Sequence, residues 1–169
     1  MGAVNNSFVA DRNAGIWKPV YLRMSEDVVL GPGAVNTELP WPSTDSALLT
    51  VYTGVRNYSG EVVRGIIRAT ITRPGKPDIR LDKRVTLAAG QEREIALGPG
   101  ELPELRVEQP DLWWPYTLGE PALYGLRTEF RRYNRAADAR ELRFGIREVS
   151  QHRDTDSSHP ELAPAATSI

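Results

Sequence analysis

The chain is expected to fold as an all-β protein, an immunoglobulin-like β-sandwich of about seven strands joined in a Greek key. Three observations predict it. Apolar and polar residues alternate in runs of strand length, turn residues recur roughly every 8 to 12 positions, and no stretch of any length carries a helical period. At 169 residues the chain has the length of one domain with extensions, enough to bury roughly two thirds of its unfolded surface.

Residues 4 to 22 place Phe8 and Val9 before a turn at Asp11 to Gly15, and Ile16, Trp17, Val20, Tyr21 and Leu22 after it, a strand, turn, strand pattern. Pro19 restricts the second strand to an edge or a first position. Asp11 and Asn13 have side chains suited to a sugar, but in a turn they are read as bonding their own backbone. Gly31-Pro-Gly33 and Leu39-Pro-Trp-Pro42 are read as turn chemistry that separates units, with the sandwich proper after them. Leu49, Val51 and Val55 share one face of residues 47 to 56, and Val63, Ile67, Ala69 and Ile71 one face of residues 61 to 72. Asn57 to Gly60 is expected to be the hairpin between them. Asn57 to Ser59 also matches an N-glycosylation acceptor, as does Asn5 to Ser7, a tripeptide that arises often by chance.

Arg73 to Pro77 makes the next turn. Short strands follow at Ile79 with Leu81, Val85 with Leu87, and Ile95 with Leu97, and Leu105 to Val107 leads into a different kind of segment. After it Tyr124, Leu126, Thr128 and Phe130 alternate with Gly125, Arg127, Glu129 and Arg131. Asn134 to Asp138 is read as a turn, and Leu142, Phe144 and Ile146 as the last strand.

The different segment, Val107 to Tyr124, organises the rest. It holds Trp113 and Trp114, two of the four tryptophans, and Pro110, Pro115 and Pro121. Each proline removes a backbone donor and fixes φ, so the run is neither the middle of a sheet nor a helix. Two adjacent tryptophans require cover, which makes this an ordered loop anchored on the sandwich or on a neighbour.

Pro110-Asp-Leu-Trp-Trp-Pro115, with Leu118 to Pro121 and Leu123-Tyr124, resembles a segment of glycoside hydrolase family 2. Asp11 to Leu22 is similar to the end of that family's sugar-binding domain, and Phe144-Gly-Ile-Arg-Glu148 to the last strand of its immunoglobulin-like domain. The resemblance covers about residues 10 to 150 and implies residues 1–30 as the end of a jelly roll with a linker, 31–150 as the sandwich, and 151–169 as a linker toward a catalytic barrel. It implies a non-catalytic spacer from a retaining β-glycosidase, closest in wording to the β-mannosidase and exo-β-glucosaminidase branch. Neighbouring domains of such an enzyme are the partners it implies. Trp17, Trp113, Trp114, Pro115 and Tyr116 are the residues expected at domain interfaces or in packing, and the segment 13–22 is expected to give weak self-association through an unpaired strand edge.

Chemistry is sparse. A retaining glycosidase needs two carboxyl groups roughly 5 to 5.5 Å apart on a rigid scaffold, and no Asn-Glu dipeptide of the family's acid/base type occurs in the sequence, so no catalytic residue is assigned. His152 and His159 with Asp154 and Asp156 sit in a polar tail, where solvation accounts for them better than a metal. No cofactor is expected. A net charge of -1 gives no field for a nucleic acid, and no apolar run suits a membrane span or a signal peptide. Nothing in the sequence assigns a compartment. The alternative function is a carbohydrate-binding module in which Trp113 and Trp114 stack on sugar rings, with Tyr116 and Trp41 behind them.

Overall fold

The computed structural model describes residues 16, 19–20, 22, 24–40, 42–152 and 166–168. Eight strands make the sandwich: β1 Val28–Glu38, β2 Ser46–Asn57, β3 Val63–Arg73, β4 Lys76–Leu87, β5 Glu92–Leu97, β6 Arg106–Glu108, β7 Tyr124–Arg132 and β8 Arg135–Phe144. One sheet runs β1-β2-β5, the other β4-β3-β7-β8, and every pairing within them is antiparallel. The short β6 pairs with Ser46 to Leu48 of β2, in line with β5, which pairs with Val51 to Arg56. Beyond the sandwich, β9 Ser150–His152 and β10 Ala166–Ser168 form a separate antiparallel ladder.

The alternation sets the core as expected. Leu49, Val51 and Val55 face Ile67, Ala69 and Ile71 across the interior, joined by Leu81, Leu87, Ile95, Leu97, Leu126 and Phe130, all buried. Each of these side chains other than Ala69 stabilises the fold by roughly 1.5–3 kcal/mol relative to exposure. Gly65 occupies the inward position between Val63 and Ile67 because the Phe130 ring fills it. A methyl group there would stand 2.4 Å from Phe130 Cζ.

Four local expectations change. Asn57 to Gly60 is not a hairpin but a crossover, since β2 and β3 lie in different sheets. The buried Asn57 makes the corner: its Oδ1 accepts the Ser59 N–H at 2.9 Å and hydroxyl at 2.7 Å, while its Nδ2 donates to the carbonyls of Glu61 at 2.7 Å and Ala88 at 2.9 Å. Gly31 to Gly33 does not separate units but lies inside β1, where the pairing with β2 skips between Leu30 and Gly33. Pro32 is tolerated at this edge-strand bulge because no ladder bond is asked of it, and Val28 and Leu30 before it belong to the core.

The turn expected at Asn134 to Asp138 is shorter. Tyr133 and Asn134, with φ of 50° and 61°, close a two-residue hairpin of the kind whose twist matches its strands. Asp138 is therefore a buried strand residue, and it accepts the Leu30 N–H at 2.7 Å. Finally, the two short strands expected around Ile79 and Val85 are one. Lys83, which interrupts the apolar pattern, lies within β4 and reaches out to the Ala96 carbonyl at 3.0 Å and to Glu101 at 2.5 Å.

These polar contacts join the two sheets along both flanks. On one, Asp138 and Arg140 of β8 hold the backbone of Leu30 in β1, and the Thr37 hydroxyl donates to the Arg147 carbonyl at 2.7 Å. On the other, Lys83 links β4 to β5. Among the described residues no helix is long and apolar enough to cross a membrane.

Candidate functional site: the tryptophan loop

The segment between β6 and β7 is an ordered loop, and its order can be traced bond by bond. It leaves β6 through Gln109, whose φ of 45° turns the chain; the Gln109 N–H donates to the Asp45 carbonyl at 2.7 Å. Lys76 Nζ donates to the Gln109 carbonyl at 2.9 Å and pairs with Asp111 at 3.1 Å. The Asp111 N–H then donates to the Tyr124 hydroxyl at 2.8 Å. Because Tyr124 begins β7, this one bond joins the start of the loop to its end. The Tyr124 ring is fully buried and stacks on Phe144, with centroids 5.6 Å apart. Burial raises the phenol above its ordinary value, opposed by the Asp111 hydrogen bond.

The middle of the loop docks on the chain that follows β8. Leu112 forms a parallel bridge with Ile146, and the Trp113 N–H donates to the Ile146 carbonyl at 3.0 Å. Trp113 is bridged to Pro121 on its other side, and the Trp114 N–H donates to the Glu120 carbonyl at 3.1 Å. The Pro115 carbonyl accepts from Leu118 at 2.7 Å and Gly119 at 3.2 Å, closing the tip.

Each tryptophan is half-buried, and each packs on a glycine of its own. A methyl group on Gly145 would stand 2.6 Å from Trp113 Cβ, and one on Gly119 would stand 3.0 Å from the Trp114 side chain. Arg147 covers Trp113, its guanidinium carbon 5.3 Å from the ring centroid, with a buried Nε that has no hydrogen-bond partner. The two rings thus have different neighbours. Pro115 is half-buried, whereas Tyr116 at the tip is 94% exposed and Leu118 is 52% exposed.

Trp17 and Trp41 lie outside the described residues, as do Asp11, Asn13 and the side chains of the histidine-containing tail. Sequence reasoning missed Gly145, Arg147 and Tyr124 as partners of the loop. Only Gly145 had a local signal, since a glycine within an alternating strand pattern marks a close approach. Asp111 of the loop is neutralised by Lys76. On the sandwich, Asp82 is held below its ordinary range by its hydrogen bonds from Arg68. Both carboxylates serve as ion-pair partners, Asp111 of Lys76 and Asp82 of Arg68.

Residues 34–147, two thirds of the chain, match the family model described as glycosyl hydrolases family 2. The chain belongs to that family. It is 30% identical to an exo-β-D-glucosaminidase of Streptomyces avermitilis over 88% of its own length and 16% of that protein's. An exo-β-D-glucosaminidase of Amycolatopsis orientalis is 31% identical over 82% of this chain and 12% of its own. The crystal structure of an exo-chitosanase from Amycolatopsis orientalis superposes with a TM-score of 0.65 at 27% identity, covering 79% of this chain and 14% of that one. The chain therefore spans about a sixth or less of each of these three relatives, and within it the match runs through β1 to β8 and the tryptophan loop.

Proposed function

We propose that this family 2 domain is a non-catalytic spacer, an immunoglobulin-like sandwich that holds neighbouring domains of a larger glycoside hydrolase at a fixed distance and orientation. The observation that carries the reading is the build of the loop. Its backbone is bonded at both ends and in the middle to β4, β7 and the chain after β8, while its tip offers Tyr116, Leu118 and Pro121 to the outside. A stiff loop with an apolar tip suits docking between domains, where flexibility would cost orientation.

The parent enzyme, on this reading, is a retaining β-glycosidase that cleaves O-glycosyl bonds, of the exo-β-glucosaminidase type. The similarity to exo-β-glucosaminidases favours it over a β-mannosidase. The second reading, a carbohydrate-binding module using Trp113 and Trp114, draws on the partial exposure of both rings.

One experiment separates the readings. The purified chain is incubated with nitrophenyl β-glucosaminide, β-mannoside and β-galactoside, and its tryptophan fluorescence is titrated with the matching oligosaccharides. The spacer reading expects neither turnover nor saturable quenching. Turnover abolished by replacing a carboxylate would overturn it, and quenching lost in Trp113→Ala or Trp114→Ala would establish the binding module instead.

A further inference from the structure

The outer face of the β4-β3-β7-β8 sheet, the side away from the core, has an uneven distribution of charge. In its middle the register sets Arg68 of β3 between Asp82 of β4 and Glu129 of β7. Arg68 binds Asp82 through two hydrogen bonds of 2.7 and 2.6 Å, and Glu129 receives both Arg127 and Arg131, so these rows are neutral or nearly so. Toward the Tyr133–Asn134 hairpin the balance fails. There the register sets Ile66 between Arg84 and Arg131, and Arg64 lies opposite Thr86 one row further on.

Around this end of the sheet is an open cleft of about 860 Å3 to which Arg64, Arg68, Arg84, Arg131 and Arg132 contribute, with no carboxylate in its lining. Arg64 and Arg84 are exposed and, among the described residues, have neither an ion pair nor a hydrogen bond from their side chains. Arg131 is oriented by Glu129 and by the Asn134 carbonyl at 2.7 Å, and Arg132 lies over the Tyr133 ring with its guanidinium carbon 4.8 Å from the centroid. The floor is apolar: Ile66 between the cations, Val62 beside them, and the exposed Tyr133 at the rim.

We propose that this cleft is a docking site for an acidic protein segment, one that presents carboxylates on either side of an apolar side chain. Arg64 and Arg84 both adjoin Ile66, Arg64 two residues along β3 and Arg84 opposite it on β4, about 7 and 5 Å away along the backbone. Carboxylates on either side of a leucine-like group can meet these two unpaired arginines, and guanidinium forks pair with carboxylates in a fixed bidentate geometry. An anionic polysaccharide offers the charges without the apolar group between them, and so leaves Ile66 and Val62 uncovered in a polar contact. Arginine and tyrosine together with an aliphatic floor are also the composition of protein-binding surfaces. The inference does not rest on the spacer reading, because a free acidic partner meets the same chemistry as a neighbouring domain.

The test uses the full chain and a short fluorescein-labelled peptide of alternating Glu and Leu, followed by anisotropy at low salt, with polygalacturonate as competitor. The peptide is expected to bind and to weaken as salt rises. Arg64→Glu and Arg84→Glu are each expected to reduce affinity by about tenfold or more, while Arg93→Glu, on β5 of the other sheet, leaves it unchanged. Arg64→Ser and Arg84→Ser serve as milder variants, and the melting curve of each variant verifies its fold. No binding by the parent chain, equal loss in Arg93→Glu, or no loss in folded position-64 and position-84 variants overturns the proposal. Polygalacturonate binding more tightly per charge than the peptide also overturns it, in favour of a glycan.

Discussion

Gly145 and Trp113 exclude each other's growth: the indole occupies the space that a side chain at position 145 would need, and a single methyl group there would come within 2.6 Å of Trp113 Cβ and 2.7 Å of Cγ. The strand end and the loop are thus shaped to one another. Gly145→Ala is expected to push Trp113 off its seat, costing about 1–3 kcal/mol as overpacking does. A lower melting temperature together with a changed near-ultraviolet tryptophan signal would verify it. Unaltered values of both would show that the loop gives way freely.

Removing the rings tests the same seat from the other side. Fully buried tryptophans cost about 3–5 kcal/mol when cut to alanine, and half-buried ones correspondingly less. Trp113→Ala and Trp114→Ala are expected to cost about 2 kcal/mol each, with Trp113 the larger because it also loses the Arg147 contact. Chemical denaturation gives both values. A change near zero for both would remove the packing account.

Tyr124→Phe should act in two ways. At neutral pH it deprives the Asp111 N–H of its acceptor and costs about 1–2 kcal/mol. At high pH the deficit shrinks. The folded Tyr124 has a pKa raised above its ordinary 10.0, so below 10.0 the phenol is neutral in both states and its contribution is fully present. Above that value the unfolded chain releases its proton first, and stability falls as pH rises through the folded pKa. Melting curves from about pH 9 upward should therefore show a steeper alkaline loss in the parent chain than in Tyr124→Phe. Parallel slopes would contradict the burial account.

Asn57→Ala is expected to cost about 3 kcal/mol, since it leaves Ser59, Glu61 and Ala88 without their partner at a buried corner. Asn57→Asp keeps the acceptor but not the donors at neutral pH. Its deficit is expected to shrink as the pH falls and the carboxyl regains a proton to donate, which a pH series of melts would reveal.

The fold was legible where one residue type has one physical consequence. Alternating β-branched residues in β2 and β3 could only be half-buried strands, and the three prolines ruled out regular structure around Trp113 and Trp114. The errors lie where a residue type serves two geometries equally well. Asn57 forms the same local hydrogen bonds in a hairpin as in a crossover, and only its long-range bond to Ala88 distinguishes them. Asp138 read as a turn residue because nothing local reveals the Leu30 amide it receives. Lys83 broke an apolar pattern that its long side chain leaves intact. For the loop, sequence identified the two rings but not Tyr124, whose bond to Asp111 spans a loop of unknown path. The arginine cleft is likewise invisible before the register is known, since Arg84 and Arg131 lie far apart in sequence and meet across Ile66 only in the sheet.

The corner at Asn57 has a consequence for how the chain is produced. Its Nδ2 is the atom to which an oligosaccharide would be attached at the acceptor tripeptide ending in Ser59, and attachment occurs while a nascent chain is still unfolded. In the folded domain that nitrogen donates to two carbonyls inside a fully buried side chain, so a glycan there cannot coexist with the corner. A eukaryotic secretory host that modifies the site would convert part of its output into chains unable to join the two sheets. Bacterial cytoplasmic expression, or Ser59→Ala at the loss of the hydroxyl's bonds to Asn57 and Glu61, avoids that hazard.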